Sequence, residues 1–146
     1  MADVFFFAAV NEARLGLAEG GVPIGSVLVL DGVIVGRGHN QRVQQGSVVL
    51  HAEMAALEDA GRLSAAEYRR STLYTTLSPC AMCTGAALLY GIPRVVVGEN
   101  RTFLGREDLL AEDGVVVEVV DDAGCIELMT TFIAANPDLW NEDIGE

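Results

Sequence analysis

Basic residues are scarce in this chain. Nine Lys plus Arg stand against 21 Asp plus Glu, a formal net charge of −12. Affinity for nucleic acid rests largely on cations that neutralise phosphates, so this balance argues against a DNA or RNA substrate. A negative surface remains compatible with any enzyme acting on small molecules. Long apolar runs are also missing, and without a stretch of about eighteen such residues a membrane span is not expected. Met1-Ala2-Asp3 carries no basic leader, so no signal peptide is expected. Aromatics make up only 6% of the chain against 51% apolar residues, which suits a core of aliphatic strands. Repeats, low-complexity tracts and composition breaks are absent too. The 146 residues are therefore read as one domain, 1–146, large enough for a sizeable core.

What is present alternates between helical and strand patterns. Residues 3 to 19 place Val4, Phe5, Ala8, Ala9, Ala13, Leu15 and Leu17 on an apolar face, and Gly20-Gly21 ends that helix. Val27 to Leu30 and Val33 to Val35 flank Asp31-Gly32, a strong hairpin signal. Residues 36 to 50 read as a Gly- and Gln-rich loop carrying Asn40. A helix is expected from His51 to Ala60, a strand from Thr72 to Thr76, and a helix from Cys80 to Tyr90. Strands at Arg94 to Val97 and Val115 to Val120 bracket a short helix over 106–112. A last helix spans 122–135, and Pro137 opens a short terminal segment. Strands alternating with helices predict an α/β fold with a mixed sheet covered on both faces.

Histidine occurs twice and cysteine three times, and most of these few residues gather in two places. One reads His51-Ala52-Glu53, the other Pro79-Cys80-Ala81-Met82-Cys83. Residues three apart on a helix share a face, so Cys80 and Cys83 can grip one ion from one turn. Both His51 and Cys80 fall at helix starts, where the dipole favours a thiolate. One imidazole and two thiols are the ligands zinc prefers, and three protein ligands leave a fourth position for water. Glu53, two residues from His51, is placed to move a proton beside that water. A redox Cys pair would need no His-x-Glu partner, and a closed structural site would need a fourth Cys or His. Cys125 is isolated and His39 ends a strand. With two of three cysteines spent on metal, a reducing, cytoplasmic compartment is expected.

The joint pattern H-x-E with P-C-x-x-C resembles the signature of the zinc-dependent nucleobase deaminases. The likeness extends further. Gly20-Gly21-Val22-Pro23-Ile24-Gly25, Gly36-Arg37-Gly38-His39-Asn40, Leu73 to Cys80, Gly91-Ile92-Pro93-Arg94, Gly98-Glu99-Asn100 and the tail Glu142 to Glu146 are similar to the small cytosine deaminases of the fungal type. These belong to the zinc-dependent cytidine/deoxycytidylate deaminase superfamily. The metal motif is common to that superfamily, whereas the tail is much more specific to the cytosine branch.

The resemblance implies a three-layer α/β/α sandwich around a five-stranded mixed sheet, a homodimer, and one Zn2+ per chain. It implies His51, Cys80 and Cys83 as zinc ligands and Glu53 as proton shuttle. Asn40 and the backbone amide of Ala52 would hold the ring carbonyl. The Ser78 backbone oxygen and Asp143 would receive the departing amino group, and Phe103, Trp140 and Ile24 would wall the ring. The implied activity is hydrolytic deamination of a small free-base amino-heterocycle, cytosine to uracil plus ammonia, as in pyrimidine salvage. Isocytosine, creatinine, an amino-triazine, guanine or tRNA adenosine are the alternatives. One departure bears on that choice: the fungal enzymes have Gly between the ligand His and the Glu, and this chain has Ala52. From Trp140 onward the tail is expected to form a lid, with Trp140 and Asp143 on one face of a helical turn.

Overall fold

The computed structural model describes residues 3–146; the Met1-Ala2 part of the leader reading lies outside the described residues. Helix α1 (Val4–Ala18) begins where the Asp3 side chain accepts from the Phe5 amide at 2.9 Å, the usual work of an N-cap aspartate. Strands β1 (Gly25–Leu30) and β2 (Val33–His39) form the expected hairpin. Its turn residues Asp31 and Gly32 both have positive φ, 51° and 77°, as a tight primed turn requires.

The hairpin corrects one expectation. Gly36 to Gly38, read as loop from their glycines, continue β2, which ends at His39 as expected. The glycines are there because helix α3 (Ala52–Ala60) lies directly on the strand. A Cβ on Gly36 would strike the Ala56 carbonyl, and one on Gly38 would come within 2.6 Å of the Ala55 side chain. Two short helices went unforeseen: α2 (Arg42–Gln45), and α4 (Ala65–Tyr68), which Ser64 and Glu67 open with a capping box.

The chain continues through β3 (Ser71–Leu77), α5 (Ala81–Tyr90), β4 (Arg94–Glu99), α6 (Glu107–Glu112), β5 (Val116–Val119), α7 (Ala123–Ala135) and α8 (Pro137–Asp143). Asn136 caps the end of α7 and the start of α8, and Pro137 occupies the first turn of α8, where its missing N–H costs nothing. The terminal segment is thus a helix folded back on α7.

The sheet order is β2-β1-β3-β4-β5, antiparallel through β2, β1 and β3 and parallel through β3, β4 and β5. Side chains alternate between its faces. Val27, Val29, Tyr74 and Val96 meet Phe6, Val10 and Cys125 on the α1/α7 side. Leu28, Leu73, Val95 and Val97 meet Ala87, Ile92 and Leu110 on the other. Each such aliphatic side chain contributes about 1.5–3 kcal/mol by leaving water. The result is the expected three-layer α/β/α sandwich on a five-stranded mixed sheet. β3 and β4 end side by side, and the carboxyl ends of parallel strands are where ligands bind in such sheets. A third apolar cluster gathers there, with Val22, Ile24, Leu77, Phe132 and Trp140 among its members.

Candidate metal centre and active site

Two helix starts face each other at this end of the sheet. His51 is the N-cap of α3 and Cys80 the N-cap of α5; both have extended backbone and neither side chain caps its own helix. The imidazole and thiol are therefore free to point outward. Cys83 follows one turn later on α5 and is buried. Cys80 Sγ lies 3.4 Å and Cys83 Sγ 3.7 Å from His51 Nδ1. The donor atoms of the three residues are all within 4.8 Å of one another. Tetrahedral zinc, with bonds of about 2.3 Å to sulfur and 2.0–2.1 Å to nitrogen, sets such donors roughly 3.5–3.8 Å apart. The donor set fits the ion in both chemistry and spacing.

The titratable groups here are coupled through short distances in a dry place. Cys80 is pulled down to about 4, first by its hydrogen bond with Cys83 and then by His51, against the effect of burial. Cys83 moves the opposite way, raised well above the ordinary thiol by Cys80 and by burial. Burial opposes the charge on His51, but Cys80, Asp143 and Glu53 outweigh it and raise the imidazole to about 9. Protons therefore compete for His51 and Cys83, and metal binding releases them. Glu53, in the first turn of α3, is only 4% exposed. Burial pushes its carboxyl up to about 7, in the range where a group can both take and return a proton near neutral pH.

The other imidazole nitrogen completes the arrangement. His51 Nε2 lies 3.4 Å from Asp143 Oδ1, and the Asn40 side-chain amide donates to that same oxygen at 2.8 Å. A carboxylate behind a metal-ligating imidazole fixes its tautomer and ring orientation. Asn40 is fully buried, and its Oδ1 accepts from the Arg42 amide at 2.9 Å.

Beside the cradle is a small recess. Ala52, Glu53, Cys80 and His51 line one side of it. Ile24, Ser78, Phe103, Trp140 and Asp143 line the rest. Phe103 and Trp140 meet edge-on, their ring centroids 5.6 Å apart. Every residue singled out from the sequence lies at this recess, except Cys83 and Asn40, which stand directly behind its walls. Leu77 and Ile144 also line it and were missed; Ile144 was legible only as the next residue of the tail. His39 and Cys125 lie elsewhere. His39 is held between Glu12 and Glu19, and burial pushes the Cys125 thiol up, out of reactive range.

Comparison with known proteins agrees with this geometry. Residues 2–99 match the family model described as the cytidine and deoxycytidylate deaminase zinc-binding region. A cytosine deaminase of Candida albicans is 55% identical over 139 residues, 94% of this chain and 93% of that protein. A tRNA-specific adenosine deaminase of Streptococcus pyogenes is 37% identical, covering 88% of this chain and 87% of the relative. Among solved structures, a chain from a study of tRNA:A34 deaminases superposes with a TM-score of 0.73 at 28% identity, over 86% of this chain and 98% of that one.

Proposed function

The chain belongs to the cytidine and deoxycytidylate deaminase zinc-binding family, and on that premise we propose that it hydrolyses cytosine to uracil and ammonia, as a single zinc-dependent catalytic domain. The observation that carries the reading is the recess next to the cradle, with the buried Glu53 lining it. The 55% identity to a cytosine deaminase supports the choice of ring. The tRNA reading of the more distant relatives sits poorly with a net charge of −12, which repels a phosphate backbone.

His51, Cys80 and Cys83 would hold the zinc ion, which when bound would supply Lewis-acid activation of water at neutral pH. Glu53 takes the proton of the attacking water and gives it to the ring nitrogen beside the amino-bearing carbon. It then carries a second proton to the departing amine, so that ammonia leaves and a carbonyl remains. The first amides of α3, among them that of Ala52, have no partner within the helix and are available to a ring carbonyl. The Ser78 carbonyl and Asp143 accept from the amino group, since a carboxylate only accepts and an amine donates. Phe103, Trp140 and Ile24 cover the ring and exclude bulk water. Asn40 reaches the ring carbonyl with the amide hydrogen left over from its bond to Asp143.

Val48, Met82 and Leu104 flank the open mouth outside the recess, and Leu104 is 65% exposed. This apolar rim supports the homodimer, which a measurement of mass in solution tests. Cysteine thiolates as ligands support a reducing, cytoplasmic setting; no helix among the described residues is long and apolar enough to cross a membrane. The decisive experiment is an ammonia-release screen of the zinc-loaded protein over free bases, nucleosides, small cyclic amines and tRNA. Turnover of tRNA or guanine in preference to cytosine would overturn the proposal.

A further inference from the structure

Two carboxylates outside the metal cradle converge on one loop. Glu99 ends β4 and has no exposed surface. A carboxylate so placed is costly unless its lone pairs are filled. They are: Oε2 accepts from the amides of Arg101 at 2.8 Å and Thr102 at 2.9 Å, and the Thr102 hydroxyl donates to Oε1. Glu107 opens α6 and works from the far side of the same loop. Its Oε2 accepts the Ser78 hydroxyl at 2.6 Å, and its Oε1 accepts from the Asn100 side-chain Nδ2 at 3.3 Å. The Ser78 hydroxyl in turn accepts from the Gly105 amide at 2.9 Å, and the Arg106 amide donates to the Pro79 carbonyl at 3.0 Å. Gly105 passes so close that a Cβ there would strike Pro79 O.

The loop so tied, residues 100–106, carries Phe103. That ring lines both the recess and the more open mouth outside it, so its position bears on how much space the recess has. Neither Glu99 nor Glu107 lines the recess. We propose that Glu99 and Glu107 are positioning residues for substrate size: they clamp loop 100–106 onto Ser78-Pro79, and the clamp holds Phe103 at the edge of the recess, so that loosening it admits a larger substrate. The proposal rests on the deaminase reading above.

The test combines kinetics with amide hydrogen exchange on the zinc-loaded enzyme. Ser78→Ala and Glu107→Ala each remove one partner of the same bond while leaving the Ser78 carbonyl in place. A hydrogen bond to a charged group corresponds to about a tenfold change in an equilibrium. KM for cytosine is expected to rise about tenfold, with kcat changed less, and the preference for cytosine over cytidine to fall by a similar factor. The Gly105 amide should exchange faster, and zinc content should stay at one per chain. The double variant should lose less than the sum of the two single ones, because both share the Ser78–Glu107 bond. Glu107→Gln keeps an acceptor for Ser78 and should restore most of the preference. Thr102→Val, acting through Glu99, should shift it the same way by less. Faster exchange at Gly105 with an unmoved cytosine-to-cytidine preference would overturn the proposal, and so would unmoved exchange. An inactive parent sinks the deaminase reading and the proposal with it, whereas an active parent with unmoved variants sinks the proposal alone.

Discussion

The cradle and the wall opposite it sit on two sides of one recess but are assembled differently. The cradle takes its donors from the first turns of α3 and α5, so each is placed by a spacing of two or three residues and by the helix start itself. The wall takes Phe103 from a loop and Trp140 from α8. Those are placed by side chains far off in sequence: Ser78 to Glu107 spans 29 positions, and Asn40 to Asp143 spans 103. Local rules fix the chemistry of the site, and long-range pairings fix its shape. Damage to the first should abolish the reaction; damage to the second should change how well and on what it works.

The largest effect is expected at the donors. Cys83→Ala should lose both zinc and ammonia release, while Cys125→Ala, on the far face of the sheet, should keep both. Metal content and activity measured on the same sample decide it, and full zinc occupancy in Cys83→Ala would refute the ligand assignment. Glu53→Gln comes next. It preserves shape but carries no proton, so zinc should stay bound while turnover falls by roughly 10²–10⁴. A near-normal rate in the metal-loaded variant would remove Glu53 from the mechanism.

The wall should respond more mildly. Asp143→Asn weakens the support behind His51 and the acceptor for the amine, and a loss of about 10–100-fold in activity or metal affinity is expected. Deletion of 139–146 should leave a folded, zinc-binding chain of much lower activity, since Trp140 goes with it. Parental activity in the truncated protein would show that the tail takes no part.

The same contrast explains what the sequence made legible. His51, Glu53, Cys80 and Cys83 could be read because helical spacing converts directly into geometry. The hairpin was legible because Asp-Gly dictates its turn. Gly36 and Gly38 misled, because a glycine that admits a neighbouring helix looks the same in one dimension as a glycine that makes a loop. Helix α4 was overlooked although Ser64 and Glu67 spell its capping box. Glu99 and Glu107 gave no usable signal. A buried carboxylate that holds a loop is written like any surface glutamate, and only the partners that fill its lone pairs reveal it. Asn40 was singled out for a ring, and its bond to Asp143 required the tertiary structure.

The smallest expected effect is on stability. His39 is held by Glu12 at 2.9 Å and Glu19 at 2.7 Å. Burial acts to lower its pKa, but the two carboxylates outweigh it and the net shift is upward. A raised folded value means that the imidazolium stabilises the fold. That contribution is complete below the unfolded pKa of about 6.5 and is lost as pH rises through the folded value. The Tm penalty of His39→Gln should therefore be largest near about pH 6 and shrink toward alkaline pH. A penalty constant across that range would show that His39 is not linked to protonation.

His51 and Cys80 belong to segments separated by β3, so the cradle is complete only in the folded chain and its occupancy is linked to folding. Metal ion then acts as a folding ligand by mass action: a free concentration a hundred times its Kd contributes about 2.7 kcal/mol. That is a sizeable share of the ~5–15 kcal/mol that holds an ordinary domain together. A cell short of zinc would hold not a stock of idle enzyme but a chain poised nearer to unfolding and to proteolysis. The steady-state amount of this protein is thereby tied to metal supply as well as to synthesis.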